Sequence, residues 1–175
     1  DGIFVGNSNT STSNHIDAFS FIHKIRSEKR KILVPLSYGG DYFYKIAVLA
    51  AGKRYFGLDF QPMRHFLDRT AYTERMAECK TAVFMHIRQQ AIGNIFIALW
   101  LGLKVFVLKT NPCFDHFESK GIAIYPIDES LGIEFNSPLS MDLKISNRQL
   151  LLSHFGQDEV YQKIQVMLTE VSAGK

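Results

Sequence analysis

The chain of 175 residues carries 20 Lys and Arg against 17 Asp and Glu, a formal net charge of +3, with 46% apolar and 21% charged residues. That balance is an ordinary globular one, in a chain long enough to bury a core without disulfide or metal staples. The 14 Phe and 7 Tyr exclude disorder, and only 12 Gly and 5 Pro exclude a collagen-like or low-complexity chain. A pI near 8.8 reflects so small a surplus of cations that no nucleic-acid footprint is expected.

The first predicted element is a buried strand at Ile3-Phe4-Val5, followed by a polar loop from Asn7 to Ser13. Ile16, Phe19, Ile22 and Ile25 then recur at helical spacing on one face. Lys31 to Val34 reads as a strand stopped by Pro35, and the turn Ser37-Tyr38-Gly39-Gly40-Asp41 leads into a helix from Tyr42 to Arg54. Phe56 to Met63 holds a poorly defined short strand, Asp68 to Lys80 a helix, and Thr81 to Met85 a strand. The loop His86 to Ala91 opens onto a helix from Gly93 to Leu101, apolar on every side and so expected to be buried, with Gly102 as its C-terminal cap. Lys104 to Leu108 is a strand, Asn111-Pro112 starts a helix, and Ile122 to Tyr125 is a last short strand. Asp128 to Leu143 has no clear pattern, and Asn147 to Val171 is helical with a break near Gly156.

Strands with continuous apolar runs, alternating with helices, predict an α/β fold: one doubly wound parallel sheet with helices on both faces, without repeat or linker. The single domain is expected to span 1–175. Cys79 and Cys113 are too few for a disulfide framework and read as reduced thiols. The longest uncharged stretch, Gln89 to Leu103, falls short of the roughly 18–20 apolar residues a bilayer needs. No basic-then-apolar leader precedes the first strand, and that abrupt start suggests part of a longer protein.

In open parallel sheets ligands bind beyond the carboxyl ends of the strands. The loop after the first strand, Gly6 to His15, has no charge and is crowded with small donors able to wrap an anion; its simpler reading is a turn in which Thr12 or Ser13 caps a helix. In the second loop Tyr38 offers a face for a nucleobase beside two glycines, or Asp41 merely caps the next helix. The third loop is the most informative, because Arg88 supplies a planar fork suited to phosphate, Gln89 and Gln90 add polar groups, and Gly93 lets a ligand approach the helix start. The alternative there is a structural ion pair for Arg88. His15 and His86 are expected to face this cleft, and the loop at Asn111 to form its rim. Lys24, Arg26, Lys29, Arg30 and Lys31 read as a solvated cluster at a helix end, or as a membrane-facing patch. His23, His65, His116 and His154 show no metal-ligand spacing. No Walker A loop, no GxGxxG fingerprint and no GxSxG elbow occurs, which argues against a P-loop NTPase, an NAD dehydrogenase and a serine hydrolase.

At these loops the sequence resembles the bacterial TDP-N-acetylfucosamine:lipid II N-acetylfucosaminyltransferases, the Fuc4NAc transferases of enterobacterial common antigen synthesis. The match is carried by Ile3-Phe4-Val5-Gly6-Asn7-Ser8 with His15-Ile16, by Val34-Pro35-Leu36-Ser37-Tyr38-Gly39, and above all by Arg88-Gln89-Gln90-Ala91-Ile92-Gly93-Asn94, with Cys79, Gly102 and Asn111-Pro112 in step. It extends over about residues 1–120. The resemblance implies a GT-B glycosyltransferase of which this chain is the C-terminal, donor-binding half, the acceptor-binding N-terminal domain lying outside it. It implies a dTDP-sugar donor, a lipid-linked saccharide acceptor, no metal or other cofactor, no nucleic acid, and a cytoplasmic protein peripheral at the inner face of the bacterial membrane. Under it, Arg88, Gln89, Gln90, Gly93, Asn94, Gly6, Asn7 and Ser8 bind the donor diphosphate, and Ser37, Tyr38, Gly39, His15, His86 and Asn111 lie at the nucleoside or sugar. One departure is Ile97, where many GT-B enzymes place a ribose-binding Glu. The pattern assigns no catalytic base. The competing expectation is a non-catalytic module that binds a nucleotide or sugar phosphate.

Overall fold

In the computed structural model, which describes residues 1–40, 42–127 and 132–172 (backbone only at 132–133 and 170–172), the apolar runs pair into one six-stranded parallel sheet. Its strands are β1 (Gly2–Val5), β2 (Lys31–Pro35), β3 (Phe60–Met63), β4 (Cys79–Phe84), β5 (Lys104–Val107) and β6 (Tyr125–Pro126), in the order β3-β2-β1-β4-β5-β6. The helices between and after them are α1 (His15–Ile25), α2 (Tyr42–Phe56), α3 (Arg69–Ala77), α4 (Ile92–Leu101), α5 (Pro112–Glu118), α6 (Gly132–Asn136), α7 (Met141–Phe155) and α8 (Gln157–Ser172).

Alternation of side chains along each strand divides the core in two. Phe4, Leu33, Phe84, Val105 and Val107 pack against Met76 of α3, Ile95, Ala98 and Leu99 of α4, Phe114 and Phe117 of α5 and Leu151 of α7. Ile3, Val5, Ile32, Val34, Val83 and Phe106 pack on the other face against Phe19 and Ile22 of α1, Val48 and Phe56 of α2 and Phe135 of α6. Burial on both faces explains why the strands are mostly apolar, with polar residues such as Lys31, Lys80 and Lys104 near their amino ends. The order of strands reverses between β1 and β4, so the crevice of the doubly wound fold opens at their carboxyl ends, between the loops Gly6 to Asn14 and Met85 to Ala91.

Several boundaries differ from the expected ones. Cys79 and Lys80 belong to β4 and not to the preceding helix, because Cys79 pairs with Gly2 of β1. β6 is confined to Tyr125 and Pro126; just before it, the buried Asn147 takes the place of a neighbouring strand by donating to the Ala123 carbonyl (3.1 Å) and accepting the Ala123 N–H (2.7 Å). α7 starts at Met141, earlier than Asn147, with Ser140 as its side-chain cap. α4 is buried only along Ile95, Ala98 and Leu99, and its Trp100 is 45% exposed. Gly102 does adopt the left-handed conformation of a helix C-cap, with φ +81°. The basic cluster is not uniformly solvated either. Arg30 is buried, donating to the Gly2 carbonyl (3.1 Å) and to Thr81 Oγ1 (2.9 Å), and Arg26 pairs with Asp59 at 3.6 Å. Both thiols are free and buried. Asp41 and residues 128–131, the start of the unpatterned stretch Asp128 to Leu143, lie outside the described residues.

Candidate functional site

The loop that follows β1 starts on a left-handed turn at Gly6 (φ +76°), whose N–H donates to the Val83 carbonyl at 3.0 Å and so ties it to β4. A Cβ at Gly6 would stand 2.5 Å from Nε2 of His15, so the imidazole fills the space that glycine leaves empty. His15 is fully buried and its Nδ1 lies 3.0 Å from the Tyr44 hydroxyl, which also accepts its backbone N–H. Burial, reinforced by the neighbouring His86, pushes the pKa of His15 down to about 4; burial alone does the same for His86. Neither histidine faces the crevice as expected. Both lie beneath it as neutral rings, with His86 stacked on Phe84.

The hydroxyls of this loop are largely engaged with one another. Ser8 Oγ lies 3.1 Å from Thr10 Oγ1, Thr10 Oγ1 lies 3.1 Å from Thr12 Oγ1, and Ser13 Oγ donates to the Ser8 carbonyl. Neither Thr12 nor Ser13 caps α1. The cap position is Asn14, in the left-handed region, whose amide reaches back to the Met85 carbonyl (2.8 Å) and leaves the first turn of α1 without a side-chain cap. Asn9 joins this loop to the next one, donating its backbone N–H to the Tyr38 carbonyl (2.9 Å) and its side-chain amide to the Gly39 carbonyl (3.1 Å). Gly39 and Gly40 hold φ of +76° and +68°, half-buried Ser37 lies at the base of this turn, and Tyr38 projects from it, 53% exposed.

Across the crevice, Arg88 and Gln89 are exposed, and Arg88 has no ion-pair partner among the described residues. The ion-pair alternative for Arg88 therefore fails. A cleft of 450 Å³ opens between Arg88 and Ile87 on one side and Ser11, Thr12 and Asn14 on the other. Gln90 bridges weakly to Thr10 (3.4 Å), and its own buried Oε1 has no partner. α4 begins after Ala91, which is forced to φ +61°; like α1 it has no side-chain cap, and unlike α1, whose first turn holds Asp17, it has no acidic residue there. At Gly93 a Cβ would meet nothing within 4 Å. Asn94 Nδ2 donates to Asn7 Oδ1 (2.6 Å) and to the Tyr72 hydroxyl (2.8 Å), closing the floor between the two loops.

The helices away from the crevice are finished differently. Asp68 caps α3, Asn111 caps α5 and Ser140 caps α7, each through a side-chain oxygen. Both helices that start beside the β1/β4 switch point lack a side-chain cap, but α1 spends its His15 N–H on Tyr44 and holds Asp17 in its first turn, so the start of α4 is the one open to an anion. Asn111 is not exposed at the rim as expected. It is 1% exposed, with Oδ1 on the Cys113 N–H (2.9 Å) and Nδ2 on the carbonyls of His86 (2.7 Å) and Arg88 (3.2 Å). Sequence patterning did not single out Tyr72 on α3, nor Tyr44 under His15.

Comparison with known proteins agrees with this architecture. The family model described as 4-alpha-L-fucosyltransferase, glycosyl transferase group 56, matches residues 2–166. The chain belongs to that family. The match runs through α7 and into α8, well past the 1–120 span legible in the loops. Among solved structures, this chain is similar in fold to the N-terminal domain of Candida albicans trehalose-6-phosphate phosphatase, at 13% identity and TM-score 0.71 over 97% of this chain and 42% of that one. An E. coli trehalose-6-phosphate structure bound with UDP-2-fluoro glucose gives 11% identity and TM-score 0.67 over 95% and 43%. The catalytic domain of cholesterol-alpha-glucosyltransferase from Helicobacter pylori gives 12% and 0.55 over 92% and 98%. At these identities the likeness is one of fold, that of a Rossmann-like half of a GT-B glycosyltransferase. The chain spans less than half the length of the first two. Among the described residues no helix is long and apolar enough to cross a membrane.

Proposed function

We propose that this group 56 chain is the donor-binding half of a glycosyltransferase, and that the crevice between β1 and β4 holds the diphosphate of a nucleotide-sugar. The observation that carries the reading is the uncapped, acid-free N-terminus of α4 at the β1/β4 switch point, with the unpaired Arg88 just before it on the cleft that reaches Asn14. When the bond from the sugar C1 to the diphosphate oxygen breaks, negative charge grows on the leaving phosphate. Fixed backbone N–H groups and a guanidinium stabilise that charge without reorganising, in place of a divalent cation. The E. coli neighbour bound with UDP-2-fluoro glucose supports a nucleoside diphosphate as the group held by such a half.

The family description supports a deoxy sugar as the transferred group. In this reading the donor is a dTDP-deoxyamino sugar such as dTDP-Fuc4NAc. The acceptor is a lipid-linked saccharide brought by a companion N-terminal domain at the inner face of the membrane. Tyr38, exposed beside the crevice, is placed to stack on the base. His15 and His86 act from below the floor, by shape, and not as ligand contacts.

Thermal unfolding with dTDP and UDP tests the reading. At 100 times Kd the stabilisation is about 2.7 kcal/mol, a midpoint rise of roughly 5–10 °C for a domain of this size. Arg88→Ala removes the exposed guanidinium without touching the core, and should abolish most of the rise while leaving the unliganded midpoint in place. No rise with either nucleotide at millimolar concentration refutes the assignment.

A further inference from the structure

We propose that Tyr72, on α3, is a substrate contact of this site, donating its phenolic hydrogen to the bound diphosphate. The inference rests on the reading of the crevice given above and names a group that reading does not include. Tyr72 comes from a helix outside the switch point, yet its hydroxyl is brought to the start of α4. Its ring packs edge-on against Phe4 of β1, with centroids 6.0 Å apart and planes at 84°. The hydroxyl oxygen lies 2.8 Å from Nδ2 of Asn94, the third residue of α4.

The hydrogen bookkeeping at this point is what singles the residue out. Asn94 Nδ2 has two hydrogens, one held by Asn7 Oδ1 and the other by Tyr72. The phenol oxygen is therefore the acceptor in its bond to Asn94, and its own hydrogen has no acceptor among the described residues. A phenol that accepts an amide hydrogen is polarised toward donating its own. Next to it are the bare first turn of α4 and Gly93, above which no atom lies within 4 Å of a Cβ position. In the loop that leads into α4, Gln90 Oε1 and both ring nitrogens of His86 are likewise buried without partners. An anionic oxygen held by the α4 N–H groups would accept the Tyr72 hydrogen directly. Burial also raises the Tyr72 pKa, so the group remains a donor throughout the range in which a diphosphate is fully charged.

Tyr72→Phe removes the hydroxyl and keeps the ring against Phe4. Titration calorimetry of this chain with dTDP, with inorganic pyrophosphate as competitor, gives the readout. A hydrogen bond to a charged oxygen predicts dTDP binding weakened roughly 10- to 100-fold, pyrophosphate weakened by a like factor, and an unliganded melting midpoint lowered by only about 2–4 °C, the cost of the Asn94 hydrogen that loses its acceptor. Wild-type affinity in Tyr72→Phe, with Arg88→Ala impaired, overturns the Tyr72 contact and leaves the diphosphate site standing. Loss of dTDP binding without loss of pyrophosphate binding overturns it too, as does an unliganded midpoint lowered by roughly 8 °C or more, which marks a structural role. Failure of the wild-type chain to bind either probe overturns the site and the contact together.

Discussion

Gly93 separates what the fold needs from what a ligand needs. It is the second residue of α4, is exposed, does not occupy a left-handed conformation, and a Cβ there would meet nothing within 4 Å. The folded chain alone has no objection to alanine. In a helix interior the exchange gains up to about 1 kcal/mol, and in the first turn about half of that, because the unfolded chain loses freedom and helix propensity rises. The unliganded midpoint of Gly93→Ala should therefore rise by about 1–3 °C. A diphosphate seated on the first N–H groups of α4 needs that same space, and a methyl group displacing it should weaken dTDP binding about tenfold or more, a cost of roughly 1.4 kcal/mol. Scanning calorimetry and a dTDP titration on one preparation read both numbers. A higher midpoint with unchanged affinity would show that the diphosphate does not lie above Gly93. A lower midpoint would refute the account of the helix itself.

Acid should unfold the chain earlier than its carboxylates require. His15 and His86 have folded pKa values pushed down to about 4, so the unfolded chain takes up their protons first as pH falls below the ordinary value of 6.5. Stability is then lost between about pH 6.5 and 4, by roughly 3 kcal/mol for each ring, and urea midpoints that stay flat across that window would contradict the burial of both. Gly40→Ala places a Cβ 1.2 Å from the Asn9 carbonyl oxygen at φ +68°, whereas Gly57→Ala meets nothing at φ +56°. The first should cost roughly 3 kcal/mol or more and the second about 1 kcal/mol in denaturant melts; equal costs would mean that the two loops are not in contact. Ala91→Gly relieves a left-handed alanine and should leave stability unchanged or raise it by up to about 1 kcal/mol, with a clear loss counting against the strained turn.

The sheet was legible because burial on both faces writes a strand as an unbroken apolar run. Phe60–Met63 was faint for the same reason reversed: an edge strand, holding Gln61 and Pro62, is only half covered. The last strand shifted because Asn147, distant in sequence, supplies the bonds that a neighbouring strand would otherwise make to Ala123. At the site, backbone chemistry could be read from glycines, small polar residues and an arginine at the ends of strands. Side-chain depth could not. His15 and His86 have the composition of ligands but fill space under Gly6 and over Phe84. Asn111 looks like a rim residue until its amide is seen holding the loop that carries Arg88. Tyr72 is hidden for the opposite reason, since an aromatic in a helix ordinarily marks core, and only the Asn94 contact shows its polar end.

The Asn111 amide has a mechanical consequence. Its oxygen starts α5 and its nitrogen grips the carbonyls of His86 and Arg88, so the height of the arginine above the sheet and the seating of α5 form a single linked coordinate. A push on α5 from outside would travel through one side chain to the guanidinium, with no hinge between them to absorb it. Asn111→Ser keeps an oxygen that can cap the helix but is too short to reach the carbonyls. It would uncouple the two and leave Arg88 on a slack tether, able to visit the cleft but no longer delivered to it.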